Sequence, residues 1–133
     1  MSIGLDTSVV VRLLIGEPHA QAVAAGEFLE ELKRAGREPA LVSDLVLSET
    51  YFALRHHYTV PAPEALLALQ AFTNDDRVKA TPAAMRVLRT SHEATKPEFM
   101  DRLIHAHYHD TGVSMATFDK VAARLRGAQL LAV

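Results

Sequence analysis

Residues 3–17 read IGLDTSVVVRLLIGE, an apolar run interrupted near its start by three polar residues. The first three residues of this stretch predict a short buried strand, and residues 9–14 predict an apolar helix. Asp6 therefore lies at a strand-to-helix junction, where open α/β sheets present groups to a ligand. The alternative is that Asp6, Thr7 or Ser8 caps the helix, and this stretch alone favours the cap.

The length and composition describe a single compact domain over residues 1–133, with 49% apolar and 23% charged residues. The formal net charge is -2, so a nucleic acid would have to be bound through local Lys and Arg side chains or through metal ions. The absence of cysteine excludes disulfide scaffolds, thiolate metal sites and cysteine nucleophiles. The start of the chain lacks a signal-peptide pattern, and no apolar stretch is long enough to span a bilayer. We therefore expect a cytoplasmic protein with no membrane partner.

Apolar segments of strand length alternate with amphipathic segments of helix length, which is typical of an α/β fold. The predicted strands cover residues 3–5, 40–43, 78–80, 113–117 and 129–133. The predicted helices cover residues 8–14, 20–35, 44–58, 63–72, 82–91, 97–109 and 120–126. Asp44 is expected to cap the third helix, and Thr81 with Pro82 to begin the fifth.

Three further acids stand in unusual surroundings. Glu49 lies in SDLVLSETYFAL and Asp101 in PEFMDRLIHAHYHD, two helices that are apolar around most of their circumference. Asp119 follows the strand end VSMATF and repeats the junction placement of Asp6. A carboxylate among apolar side chains is costly unless it has a partner, so these acids are candidates for a shared site. The alternatives are outward-facing acids for Glu49 and Asp101, and a helix cap for Asp119.

The order LDTS, LVLSETYFAL, FMDRLIHAHY and ATFDKVAARL resembles the PIN-domain nucleases, in particular the VapC-type toxins of toxin-antitoxin pairs. The resemblance covers nearly the whole chain, except that the match between the second and third motifs is generic. It implies a three-layer α/β/α domain with a central, mainly parallel sheet of about five strands. It also implies a metal-dependent endoribonuclease whose partners are an RNA substrate, a cognate antitoxin and a second copy of the chain.

Matched motif by motif, the resemblance implies that the four acids are both the catalytic residues and the metal ligands: Asp6, Glu49, Asp101 and Asp119. Thr7 and Thr117 match the hydroxyl residues beside these acids. The implied cofactor is one or two Mg²⁺ or Mn²⁺ ions, since hard cations of this kind take oxygen ligands and activate water for phosphodiester hydrolysis.

The basic and histidine side chains give weaker indications. Arg55, Lys120 and Arg124 are candidate contacts to an RNA backbone. His105 shares a helical face with Asp101 and is a candidate RNA contact or outer-shell residue. A zinc metalloprotease pattern is disfavoured because Ala106 stands where that motif needs a glutamate.

Two other classes of acidic, Mg²⁺-binding protein do not fit the sequence. An aspartyl phosphatase would need a second aspartate where Ser8 stands, and a phospho-receiver domain would need a late lysine in a matching order. The alternative that stays open is a catalytically weak or inactive PIN-like domain that acts as a protein or RNA interaction module.

Overall fold

The computed structural model describes residues 2–91 and 95–133. Its six helices are α1 Thr7–Ile15, α2 His19–Arg34, α3 Asp44–His56, α4 Ala62–Thr73, α5 Pro82–Ser91 and α6 Phe99–Asp110. Its strands are β1 Ala40–Leu41, β2 Val78–Lys79, β3 Ala116–Thr117 and β4 Gln129–Leu130, with a 3₁₀ turn at Ala122–Arg124. Within the described residues no helix is long and apolar enough to cross a membrane.

The first predicted strand, at residues 3–5, is reduced to a parallel bridge between Gly4 and Leu41. The Leu5 N–H donates to the Leu41 carbonyl at 2.8 Å, and the Leu41 N–H donates to the Ile3 carbonyl at 2.7 Å. On its other side β1 pairs in parallel with β2, with Ala40 opposite Val78. The chain segment that leads into Asp6 is therefore held in register beside β1.

The other two strands, β3 and β4, pair with each other in parallel, with Ala116 opposite Gln129. The α/β class is confirmed, and each of the five predicted strands contains residues that pair in parallel. The expected single sheet of about five strands is divided, however, because the described residues show no ladder between the Ile3 segment and β3. The strands are also shorter than predicted, at two residues each.

The last predicted helix, at residues 120–126, is wrong in type and length. The chain forms only the 3₁₀ turn Ala122–Arg124, in which N–H groups bond to carbonyls three residues back, as the Arg124 N–H does to the Val121 carbonyl at 3.1 Å. Gly127, with a φ of 78°, then turns the chain into β4.

The helices follow from apolar spacing, as α3 illustrates. Leu47, Tyr51 and Leu54 recur at helical spacing and are buried, which presents one face of α3 to the core. The helix begins at Ser43, whose hydroxyl accepts a hydrogen bond from the Val46 N–H at 3.2 Å. The expected cap at Asp44 is therefore wrong by one residue, because Ser43 holds the extended backbone geometry that a cap needs.

The fifth helix begins as predicted, with the Thr81 hydroxyl accepting from the Ala84 N–H at 3.1 Å and Pro82 in the first turn. Helix α3 packs against both α1 and α6, so it lies between the helices that carry the other candidate acids. The largest fully buried side chains of the core are Phe99, Leu29, Leu47, Leu54, Leu66, Leu69, Leu88 and Val10.

Candidate functional site

Asp6 occupies the N-cap position of α1, but its side chain makes no capping hydrogen bond. Its carboxylate is exposed and accepts a hydrogen bond from the Ser8 hydroxyl at 3.1 Å. The helix-start bonds of Val9 and Val10 go instead to the Asp6 backbone carbonyl. The carboxylate of Asp6 is thus available to a ligand, and the capping interpretation favoured by the local sequence is wrong for this side chain.

The packing of α1 against α3 places Glu49 in the same cavity as Asp6. The Thr7 hydroxyl donates a hydrogen bond to the Glu49 carboxylate. A cavity of about 480 Å³ opens at this contact, and its walls include both acids together with Phe52 and Met100. Two of the four predicted acids and one predicted hydroxyl residue therefore share one cavity.

Asp101 lies in the first turn of α6 and is partly buried, directly after Met100 of the cavity wall. Burial raises the pKa of the Asp101 carboxyl, and the negative charges of Asp119 and Glu98 raise it further. Lys96 partly opposes this rise. The charge of Asp119 therefore acts on Asp101 although the two residues are distant in sequence.

Asp119 acts as a cap as well as a candidate ligand. Its Oδ1 atom accepts hydrogen bonds from the Val121 N–H at 2.8 Å and the Ala122 N–H at 3.1 Å. Its own N–H donates to the Thr117 hydroxyl oxygen at 3.0 Å, so Thr117 orients the junction from the strand side. The capping alternative holds for Asp119, and these bonds occupy only one oxygen of its carboxylate.

Comparison with known families accounts for this order of acids and elements. The model of the PIN domain matches residues 3–128. The chain belongs to the PIN domain family. PIN domains have a three-layer α/β/α fold and are generally Mg²⁺-dependent nucleases. No curated protein and no solved structure matches the chain.

The donor chemistry of this PIN domain suits a hard divalent cation. The side chains are carboxylates and hydroxyls without thiolates, and oxygen is the ligand atom that Mg²⁺ and Mn²⁺ prefer. Residues 2–91 and 95–133 contain no group of three or more His, Asp or Glu side chains at metal-binding spacing. Asp6 and Glu49 line one cavity, and burial together with the charge of Asp119 raises the pKa of Asp101.

The candidate RNA contacts of this PIN domain are not gathered around the acids. His105 Nε2 lies 2.6 Å from the Arg126 carbonyl, and its ring stacks on His109 with centroids 5.7 Å apart. Both rings line a different cavity, of about 220 Å³, beside Arg86. Arg55 donates to the Val60 carbonyl at 3.1 Å.

The remaining two cations, Lys120 and Arg124, are exposed and flank the Asp119 turn. Both residues follow Asp119 closely in the chain. Among the described residues, neither forms a salt bridge.

Sequence reasoning missed one acid near the PIN domain site, Glu98. Its carboxylate accepts a hydrogen bond from the Tyr51 hydroxyl at 3.2 Å and from Lys96 at 2.7 Å. Lys96 and, less strongly, Tyr51 and Arg55 lower the pKa of Glu98, against the effect of burial. The signal available in the sequence was its spacing, because Glu98 lies three residues before Asp101 and so on the same side of the helix start.

Proposed function

We propose that this PIN domain is a metal-dependent endoribonuclease that hydrolyses phosphodiester bonds in RNA. The observation that carries the proposal is the PIN domain match over residues 3–128, a range that includes all four candidate acids. Asp6 and Glu49 line one cavity together with Met100, the residue before Asp101. Burial and the negative charge of Asp119 raise the pKa of Asp101. Neighbouring carboxylates repel one another, and a bound cation relieves that repulsion.

In this proposal Asp6, Glu49 and Asp101 hold the metal ion, and Asp119 contributes to a second ion or to a metal-bound water through its remaining oxygen. A bound Mg²⁺ or Mn²⁺ supplies charge neutralisation at the phosphate and a water that ionises near neutral pH. Thr7 orients Glu49 through its hydrogen bond, and Thr117 orients the backbone at Asp119. If Asp119 binds a second ion, the site holds two ions; if it binds a metal-bound water, the site holds one.

RNA binding has to be local because the chain carries a net charge of -2. We propose that Lys120 and Arg124 bind backbone phosphates, since both are exposed and follow Asp119 closely in the chain. Arg55 and His105 are proposed as weaker contacts, because each already bonds to a backbone carbonyl.

We further propose that the protein is the toxin of a type II toxin-antitoxin pair and acts in the cytoplasm. The support is the VapC-like order of the four motifs over nearly the whole chain. An antitoxin would be recognised by the same chemistry as the metal, because an Arg or Lys side chain can pair with Asp6 and Glu49 in their cavity.

A homodimer is proposed on the surface formed by α3 and α6. The α3–α6 stripe, as we call it, consists of exposed apolar residues: Leu45, Phe52, Met100, Ile104 and Tyr108. Leu45 and Met100 line two adjoining cavities, so the stripe is continuous across both helices. An apolar surface of this kind is typical of a protein interface.

The experiment for the central proposal is cleavage of a structured RNA by the purified protein with Mg²⁺ or Mn²⁺. Asp6→Asn, Glu49→Gln and Asp101→Asn should each lower the rate at least about a hundredfold, the upper end of what loss of an outer-shell metal partner costs. Asp119→Asn should lower it about tenfold, because this residue contributes less directly.

The matched control is Glu27→Gln, which changes an exposed acid on α2 and should leave the rate unchanged. Cleavage that persists in EDTA, or that is equal in Asp101→Asn, would contradict the proposed metal chemistry. Binding of RNA without any metal-dependent cleavage would favour the alternative, an inactive PIN-like interaction module.

A further inference from the structure

A buried tyrosine joins the two helices that carry Glu49 and Asp101. Tyr51 of α3 is 7% exposed, and its ring packs against Phe99 of α6 with centroids 5.5 Å apart. Its hydroxyl donates to Glu98 Oε2 at 3.2 Å. The contact therefore combines an apolar ring pair with a directed hydrogen bond, which together restrict both the distance and the rotation between the helices.

Glu98 does not serve its own helix. It stands at the N-cap position of α6, yet its side chain makes no capping hydrogen bond. One carboxylate oxygen accepts from Tyr51 and the other accepts from Lys96 at 2.7 Å. The Glu98 carboxylate therefore links α6 to α3 and does not bond to the free N–H groups at the start of α6.

The spacing connects this contact to the candidate metal ligands. Glu49 precedes Tyr51 by two residues on α3, and Asp101 follows Glu98 by three residues at the start of α6. A shift or rotation of α6 relative to α3 would move Asp101 relative to Glu49. The stretch of chain between the contact and each acid is less than one helical turn, so little of such a shift could be absorbed.

We infer that Tyr51 and Glu98 form a positioning pair that sets the separation of Glu49 and Asp101 for divalent metal binding. The inference rests on the proposed metal-dependent function. Neither Tyr51 nor Glu98 is proposed to bind the metal ion. The pair acts by holding α6 against α3 so that acids from two helices meet one ion, as outer-shell hydrogen bonds do at other metal sites.

The test measures Mn²⁺ affinity by titration calorimetry on the full chain. Tyr51→Phe and Glu98→Ala should each weaken Mn²⁺ binding about tenfold, the lower end of the effect of removing an outer-shell partner. Glu98→Gln should stay within about twofold of wild type, because its amide oxygen still accepts from Tyr51. The double variant Tyr51→Phe with Glu98→Ala should bind no more weakly than either single variant, since both remove one contact.

Two further comparisons isolate the positioning role. Tyr51 also interacts with Arg55, and Glu98 also pairs with Lys96, so the contact that both single variants remove is the one between Tyr51 and Glu98. Tyr58→Phe is the matched control, because it removes a tyrosine hydroxyl from the loop after α3 and should leave Mn²⁺ affinity unchanged. In RNA cleavage, kcat should fall in Tyr51→Phe while KM for RNA stays constant.

The outcomes separate this inference from the proposed function. If wild type binds Mn²⁺ and Tyr51→Phe and Glu98→Ala bind it equally well, the positioning role is overturned and the metal site stands. A lower melting temperature in EDTA with unchanged Mn²⁺ affinity overturns it as well, since that pattern belongs to a purely structural contact. Failure of wild type to bind Mn²⁺ would overturn both.

Discussion

Asp6 and Asp119 stand in similar sequence contexts and use their carboxylates differently. Both follow a strand and precede a helical turn. Asp119 binds the N–H groups of Val121 and Ala122, whereas the Asp6 carboxylate accepts a hydrogen bond from the Ser8 hydroxyl. The Asp6 side chain makes no capping bond to α1, so both of its carboxylate oxygens can bind a ligand, whereas one oxygen of Asp119 is already used in capping.

At the residue scale, Asp101 should make the metal-free protein less stable as the pH rises. Burial, and then Asp119 and Glu98, raise its pKa in the folded state, so folding is opposed once the unfolded carboxyl would ionise. In EDTA, Asp101→Asn should melt at or above the wild-type temperature at pH 7, and the two should converge when the pH falls to about 4, near the unfolded pKa. Thermal melting between these pH values measures the difference.

The control for this measurement is Asp76→Asn, which changes an exposed acid paired with Lys33 and should show no such pH trend. With Mn²⁺ at about a hundred times its Kd, wild type should gain about 2.7 kcal/mol that Asp101→Asn largely lacks. A lower melting temperature of Asp101→Asn in EDTA at every pH would contradict the electrostatic account.

At the element scale, the turn before β2 is tied to α2 by Arg77. Its guanidinium bonds to both oxygens of Asp75, with Nη2 at 2.7 Å from Oδ2, and to Glu30 of α2 at 2.7 Å. Asp75 and Asp76 lie in a turn between α4 and β2. The contact to Glu30 is the part that joins the turn to another element, and it fixes where β2 enters the sheet beside β1.

Asp75→Asn should therefore destabilise the fold at neutral pH by about 1 kcal/mol, a value discounted for the partial exposure of the pair. That corresponds to a melting shift of about 4 °C for a domain of this size. Hydrogen bonding to Arg77 is the largest cause of the lowered pKa of Asp75, so the stabilisation is present above the unfolded pKa and is lost on acidification. Chemical denaturation at pH 7 and pH 3 checks both the size and the sign.

At the scale of the whole molecule, the α3–α6 stripe is the surface that most resembles an interface. Leu45 is 83% exposed and Phe52 is 59% exposed, on a helix whose other face is buried in the core. The stripe also borders the cavity of Asp6 and Glu49. A dimer formed there would bring the acids of both copies close to the same interface.

Leu45→Glu should accordingly convert the dimer to a monomer, because a two-fold contact would bury two unpaired carboxylates, one from each copy. Light scattering after size-exclusion chromatography measures the mass. Leu67→Glu, on the exposed side of α4, is the matched control and should leave the mass unchanged. A wild-type mass of one chain would contradict the proposed dimer, and a dimeric Leu45→Glu would place it elsewhere.

The sequence by itself determined the order of the elements and the position of each acid along them. Apolar periodicity and punctuating residues are local signals, so α5 was predicted at its observed bounds, Pro82–Ser91, and Asp6 at its junction. The family resemblance likewise needed only motif order, and the PIN domain match over residues 3–128 confirmed it at family level.

Only the tertiary structure decided which polar atoms meet across elements. The bond from Thr7 to Glu49, the contact of Tyr51 with Glu98 and the position of His105 beside Arg126 all join residues far apart in the chain. Local propensity carries no information about such pairs, because helix packing brings the partners together and their hydrogen bonds depend on its geometry. For the same reason the division of the sheet could not be predicted, since strand pairing is a contact between distant segments.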